Sequence, residues 1–448
     1  MTKDRGSFSR IGFILAAAGS AIGLGNLWRF PYTVGTNGGG LFVLLYLFSV
    51  IAIALPVLIA EVSLGRHTGK NPVGAFRTIR PGSPWKWVGY LGVATGFMIL
   101  SYYSVIAGWT VGYFVKAVTG KFVGMTSDTA VQVFTSFTGN AFLQIFLLAF
   151  FIFITVYVVS RGVSGGIEKF SKILMPMLFG ILLLLLIRSL TLRGASKGVE
   201  FYWKPNFSAF SPALVITAMG QAFFSLSLGM GTMITYGSYV SKKESIPSST
   251  TWVVFFDTFV AIMAGFIIFP AIFSQGMDPA QGTGVMFNTL PVLFAKMPGG
   301  SLFGAFFFLL LAIAALTSTI SILEVPVAFF IDEKKWNRKT TAVGIGFVAF
   351  LIGIPSALSI GAVDFFTKMP FIKKGFLGLW DFIWGNVSLS IGALFIAVFV
   401  GYTWKTNNAL KEIGEGAGRF RAGKVWAVMI KYVAPILILA ILLGIFLH

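Results

Sequence analysis

Two stretches of this 448-residue chain place small and polar residues in the middle of long apolar runs. The first is Gly19-Ser20-Ala21-Ile22-Gly23-Leu24-Gly25-Asn26, and the second is Ser225-Leu226-Ser227-Leu228-Gly229-Met230-Gly231. Glycine costs about 1 kcal/mol relative to alanine in a helix interior. Close packing between helices explains one such stretch. Two of them, five apolar segments apart, point to a pair of interrupted helices. An interruption frees carbonyls that can hold a cation and amide ends that can hold a carboxylate. Asp257 lies in a third apolar run, where an ionisable group is costly and is a functional candidate by default.

That chemistry is non-covalent. The sequence contains no nucleophile–base pair, no metal-ligand cluster, and no phosphate-binding glycine loop followed by lysine. Cysteine is absent, which excludes disulfides and thiolate metal sites. His67 and His448 are read in a loop and at the terminus, away from any ligand cluster. The glycines at 38–40 follow Asn37 and read as a turn. An enzyme is therefore the least favoured class.

The elements that must position these residues are membrane helices. Hydrophobic residues make up 56% of the chain and charged ones 11%, against roughly 25% charged in a soluble domain. Eleven apolar segments are expected near 10–34, 40–65, 88–117, 141–160, 167–188, 212–240, 250–273, 301–330, 341–360, 377–403 and 426–447. They are continuously apolar and long enough to span about 30 Å of hydrocarbon as helix, so a barrel of alternating strands is excluded. The first segment runs on into charged, glycine-rich sequence, which argues against a cleavable leader. The net charge of +19 is spread over short loops, as the positive-inside rule produces, so no nucleic-acid partner is expected. The loop charges favour a cytoplasmic N-terminus and, after eleven crossings, a C-terminus outside, although Arg188, Arg193, Lys197 and Lys204 blur the contrast.

An offset of five sends the two interrupted segments across the membrane in opposite directions. The expected architecture is an all-α integral membrane protein, residues 1–448 forming one transport domain. Two five-helix inverted repeats, about 10–188 and 212–403, would be followed by an extra helix at about 426–447.

These residues resemble the neurotransmitter:sodium symporter family, in particular its bacterial amino-acid members with the leucine-transporter (LeuT) fold. GSAIGLGNLWRFPY at 19–32 is similar to the family's first-helix signature, GQAFFSLSLGMG at 220–231 to its sixth, and ALTSTISILE at 315–324 to its eighth. The resemblance runs from about Arg5 to the end of the last segment. The family commonly has twelve helices, and some bacterial members stop at eleven.

The resemblance implies sodium-coupled import of an amino acid across the cell (plasma or inner) membrane by alternating access. Tyr103 and the amides near Leu24 and Gly25 would bind the substrate carboxylate. Carbonyls near Ala21, Phe224 and Ser225, with Ser227 close by, would meet its amino group. Ser20, Ile99, Phe224, Ser227, Met230, Ser318 and Ile322 would line the side-chain pocket. Met230 replaces an aromatic of the leucine carrier, and methionine adapts to varied shapes, so large hydrophobic substrates, aromatic ones included, are expected. No acidic residue stands where amine-selective members carry an aspartate, which favours amino acids over monoamines.

Two sodium ions are implied as cofactors. Sodium is a hard cation that prefers oxygen. One site would use the Ala21 carbonyl, Asn26, Ser225, Asp257 and the substrate carboxylate, which couples the two ligands reciprocally. The other would use carbonyls of Gly19, Ile22 and Ala314 with the hydroxyls of Thr317 and Ser318, a pair that in most membrane helices bonds back to its own helix. Chloride-dependent relatives carry asparagine at the Asp257 position and serine one turn later, where this chain has Ala261. Asp257 is therefore expected to supply the charge that chloride supplies elsewhere, so chloride is not required. A further expectation is that Asp257 takes up a proton once sodium leaves. Arg29 with Asp381 would form an outer gate, and Arg5 with Asp332, Ser238 and Tyr239 an inner one. Gly166 and Pro176 would form a hinge, because proline weakens the turn before it. Phe8 stands where a tryptophan is usual, Glu61 is expected to support the interrupted backbones, and Glu324 has no assigned role. A proton-coupled carrier of the same architecture, a channel and a non-transporting sensor remain open. Uptake in sodium-free medium selects the first, and concentrative, saturable uptake excludes the other two.

Overall fold

The computed structural model describes residues 6–277, 286–369, 375–416 and 420–447, and these described residues contain no named strand. Among the described residues nine helices are long and apolar enough to cross a membrane, and a tenth span is counted if one bent pair is joined. The bent pair is α1 (Arg10–Ala21) and α2 (Gly25–Thr36), set at 49° to each other. There follow α3 (Gly40–Thr68), α4 (Lys86–Val118), α5 (Ala141–Ser160) and α6 (Val163–Leu190). The expected sixth segment is two pieces, α7 (Pro212–Ser225) and α8 (Thr232–Gly237). The chain continues as α9 (Ile246–Ser274), α10 (Gly300–Lys334), α11 (Arg338–Leu358) and α12 (Phe376–Thr403). A short helix, α13 (Thr406–Gly414), precedes α14 (Gly423–Phe446).

Helix starts follow side-chain chemistry. Ser9, Asn140, Ser211, Ser245 and Asn337 each accept a hydrogen bond from an otherwise unpaired first-turn amide. Gly69 ends α3 in the left-handed conformation. Large apolar side chains such as Phe142, Phe153, Phe255 and Leu443 face outward, as lipid requires.

The helices pack in two groups. In one, α3 packs against α7, α8 and α9, and α9 also packs on α1 and α2. In the other, α4, α5, α10 and α11 pack on one another. α1 also touches α10 and α6, so it lies along the seam. α10 is the most enclosed of the nine long helices and α14 the least.

Both expected interruptions are present. Residues 22–24 separate α1 from α2, and residues 226–231 separate α7 from α8. In the second break Ser227 has φ +53°, unusual for a residue with a Cβ, and Gly229 has φ +89°. Gly229 lies backbone to backbone against α12: a Cβ on it would sit 2.2 Å from the Leu389 carbonyl, and one on Gly392 would sit 2.2 Å from the Gly229 carbonyl.

Candidate functional site

The two breaks face one cavity of about 560 Å³ between the helix groups. It is lined by every residue expected to touch substrate: Ser20, Ala21, Leu24, Gly25, Ile99, Tyr103, Phe224, Ser225, Ser227, Met230, Ser318 and Ile322. From there it extends past Arg29 and Asp381 to the exposed Thr36 and Thr217. Ile99, Met230 and Ile322 give it an apolar wall, and backbone of the α1–α2 break gives it a polar floor.

At that floor the Leu24 amide donates to the Tyr103 hydroxyl at 3.1 Å. A carboxylate placed there would meet a phenol and the freed amides at the start of α2, the donors an anion needs. Ser227 donates to the Ser20 carbonyl at 3.1 Å across the two breaks. Ser20 also donates to Ser321 at 2.7 Å, a partner with no distinguishing mark in the sequence.

Behind the floor, Asn26, Ser225 and Asp257 form a closed, buried cluster. The Asn26 amide donates to Ser225 at 2.9 Å and to the Asp257 carboxylate at 2.7 Å. Ser225 donates to both Asp257 oxygens, at 2.9 and 2.8 Å. The buried Tyr46 ring stands beside the pair, and Gln221 donates to the Gly25 carbonyl at 3.0 Å. Among the described residues no group of three or more His, Cys, Asp or Glu could hold a metal ion. The Asn26 side-chain oxygen instead accepts from the Gly23 amide at 3.2 Å, so the oxygens gathered here are the Asp257 carboxylate and carbonyl and the Ser225 hydroxyl, oxygen donors of the kind a hard cation takes.

The second expected cation site is half assembled. Ser318 reaches α1, donating to the carbonyls of Ser20 at 3.2 Å and Ile22 at 3.5 Å. Thr317 instead bonds back to Ala314 at 3.0 Å, although it abuts Gly19, where a Cβ would lie 3.1 Å from the Thr317 Cβ. Gly19, Ile22, Ala314, Thr317 and Ser318 are therefore neighbours at the seam of α1 and α10.

The expected gates differ. Arg29 stacks on the Phe224 ring at 4.3 Å, and it makes no direct ion pair with Asp381. Asp381 accepts from Tyr102 at 3.1 Å and from Asn386 at 3.2 Å. At the other end Arg5 lies outside the described residues. Asp332 accepts from the Asn71 backbone amide at 2.8 Å and from its side chain at 3.1 Å. The Tyr239 carbonyl accepts from the Phe8 amide at 3.1 Å, and its hydroxyl donates to Glu324 at 2.6 Å. Ser238 caps the same turn through the Thr235 carbonyl. Glu324 now has a clear setting: it is fully buried and held by Arg338 through two bonds of 2.7 and 2.8 Å. Arg338 read as an ordinary loop cation in the sequence.

Glu61 accepts from the Gly229 amide at 2.7 Å. It thus supports the second break; among the described residues no hydrogen bond ties it to the first. Gly166 lies in a wide-turn segment, Val163–Glu168, where a Cβ would sit 2.1 Å from the Val158 carbonyl. Pro176 lies one helical stretch further on, inside α6. The neighbouring Glu168, not singled out in the sequence, accepts from the Ser9 amide at 3.2 Å and the Ser9 hydroxyl at 2.5 Å. It thereby anchors the start of α1 to that segment.

Comparison with known proteins gives the family. The model of the sodium:neurotransmitter symporter family matches residues 5–133 and 130–447. A sodium-dependent transporter of Bacillus subtilis (strain 168), YhdH, is 39% identical over 97% of this chain and 96% of its own length. A sodium-dependent transporter of Haemophilus influenzae is 35% identical over 97% of each chain. The crystal structure of MhsT in complex with L-phenylalanine superposes with a TM-score of 0.90, at 44% identity, covering 99% of this chain and all of that one. These relatives are transporters, not enzymes. The chain belongs to the sodium:neurotransmitter symporter family and is a multi-pass, sodium-coupled membrane symporter.

Proposed function

We propose that this symporter imports hydrophobic L-amino acids, aromatic ones included, together with two sodium ions, by alternating access and without chloride. The observation that carries the proposal is the single cavity joining Tyr103 and Leu24, the apolar wall of Ile99, Met230 and Ile322, and the Asn26–Ser225–Asp257 cluster behind them. An amino acid's carboxylate would lie at the floor, bridging to the first sodium, and its side chain along the wall. Asp257 supplies a fixed negative charge where a bound anion would otherwise be needed. The bound phenylalanine of the MhsT structure supports an aromatic substrate.

The proposal includes the topology. The chain forms one domain of two inverted five-helix repeats with α14 added. α7 and α8 count as one broken span, for eleven crossings in all, and the N-terminus is cytoplasmic. The cavity mouth at Thr36 and Thr217 then faces outside.

Binding of a panel of labelled amino acids to purified protein, with and without sodium, tests the substrate class. Leucine, phenylalanine and tryptophan are expected to bind only with sodium. Tight binding of acidic or basic amino acids in their place, or binding indifferent to sodium, would refute it. Replacing chloride by gluconate is expected to leave uptake unchanged, and its loss would refute the role given to Asp257.

A further inference from the structure

The passage between the substrate cavity and its mouth is flanked by Arg29 and Asp381, and a third side chain stands with them. Asn386 offers its carbonyl oxygen to Arg29 at 3.5 Å and its amide nitrogen to the Asp381 carboxylate at 3.2 Å and backbone carbonyl at 3.0 Å. A neutral carboxamide presents an acceptor oxygen to a cation and, from a separate atom, a donor nitrogen to an anion at once. All three residues line the cavity.

This placement is built by the backbone. Residues Asp381–Ser388 wind as a π-helix, with hydrogen bonds five residues apart. That winding brings residues 381 and 386 to one face, which the 3.6-residue turn of an α-helix would not do. The same segment leaves room for Asp381 beside Tyr102. A Cβ on Gly385 would sit 2.4 Å from the Tyr102 hydroxyl and 2.6 Å from an Asp381 oxygen. π-segments cost stability and concentrate where function needs them.

We propose that Asn386 is a positioning residue of this gate: a neutral spacer that holds Arg29 and Asp381 apart while the passage is open. It is displaced when the two charges pair directly and the passage closes. The proposal rests on the transport reading only for the direction in which substrate passes. A guanidinium and a carboxylate bonded to the same side chain attract each other strongly in a partly dehydrated passage. A direct bidentate pair is stronger than either bond to a neutral amide. Without the amide between them, the closed pairing gains.

The test uses the full chain, which has no native cysteine, so a single Ile99→Cys reporter in the substrate cavity reads access through the passage. In sodium without substrate, Asn386→Ala is expected to slow maleimide labelling of that cysteine by about tenfold, the factor that ~1.4 kcal/mol brings. In the reporter-free chain kcat is expected to fall, because the gate reopens slowly. In an Asp381→Asn background the labelling effect is expected to vanish, since no charge pair remains to collapse. Labelling unchanged or faster in Asn386→Ala, or slowed equally in the Asp381→Asn background, would overturn the proposal and leave Asn386 a cap for its own helix. Asn386→Ser, too short to reach Arg29, carries the same expectations if the alanine variant does not fold. Labelling needs no transport, so a wild-type chain that fails to take up amino acids would refute the function proposed above while this result stands.

Discussion

The two sides of the helix bundle that flank the central cavity are held by different physics. At the end with Thr36 and Thr217 the facing groups meet through single bonds: Arg29 to Asn386 at 3.5 Å, Tyr102 to Asp381 at 3.1 Å, and one ring stack. At the opposite end the contacts are many and mostly dry. Glu324 is gripped by Arg338 and Tyr239. Phe8 packs edge-on to Tyr236 and Tyr239 at 5.3 and 5.9 Å. Ser9 is tied to Glu168, and Asn71 bridges Asp332 and Glu333. Beyond these, Arg66, His67 and Lys242 converge on buried Glu412 of α13. Which end is open in this conformation is therefore decided by how much must be broken at each. The far end holds buried, paired charges that are costly to separate, and the mouth holds interactions that water can replace.

Experiments that break this contrast have graded outcomes. The largest effect is expected from Arg338→Ala, which strands the buried Glu324 carboxylate at a cost of about 3–5 kcal/mol. The thermal midpoint in detergent is expected to drop, and a cysteine placed at Ser321, fully buried now, to become reactive. An unreactive cysteine there would show that this pair does not keep the far end shut. Next comes Glu168→Ala, which removes both bonds holding Ser9; Ser9 is exposed, so water replaces much of what bonds to a charged group are otherwise worth, about 1.5–3 kcal/mol. Hydrogen exchange in the first turn of α1 is expected to accelerate while that of α10 stays slow. At the mouth, Tyr102→Phe removes one bond to Asp381, worth about 1.5–3 kcal/mol before water compensates. Water is available there, so a KM change of only a few-fold is expected. A loss of uptake as deep as that of Arg338→Ala would erase the contrast.

The effect confined to acid conditions is one of pH. Burial pushes the Glu412 carboxyl up, but hydrogen bonds from His67, Lys242 and Arg66 outweigh it and hold the group at about 2, against an ordinary 4.5. A carboxylate depressed on folding stabilises fully above its unfolded value. That contribution is lost as pH falls from 4.5 towards 2. The thermal midpoint is therefore expected to be insensitive to this group between pH 5 and 8, and Glu412→Gln to flatten the decline below 4.5. A decline identical in the variant would assign acid sensitivity elsewhere.

Local motifs made much of the centre legible in the sequence. Ser20, Asn26, Ser225 and Asp257 stand out because glycine and polar residues are anomalous in apolar runs, and the structure brings them to one place. The helical class and both breaks were legible for the same reason. How far the second break extends was not, because Ser227, Gly229 and Gly231 mark an interruption without marking where each helix stops. Asn386 was invisible because its role depends on five-residue winding, which the usual helical period does not reveal. Arg338 was invisible because a cation at a helix start is the common product of loop charge bias, and only packing shows it paired with Glu324, fourteen residues earlier. Tyr102 was overshadowed by its neighbour Tyr103, which faces the substrate floor, whereas Tyr102 faces Asp381. Thr317 shows the converse: a motif can mark a position correctly while its hydroxyl turns back to its own helix.

The bare contact between Gly229 and Gly392 carries a consequence for how motion spreads. With no side chain between them, the interrupted strand of backbone beneath the substrate and the helix that carries Asp381 ride on each other like two surfaces of a bearing. A single methyl group at either glycine would act as a wedge. It would throw the second break and the entrance out of step without touching Arg29 or Asp381.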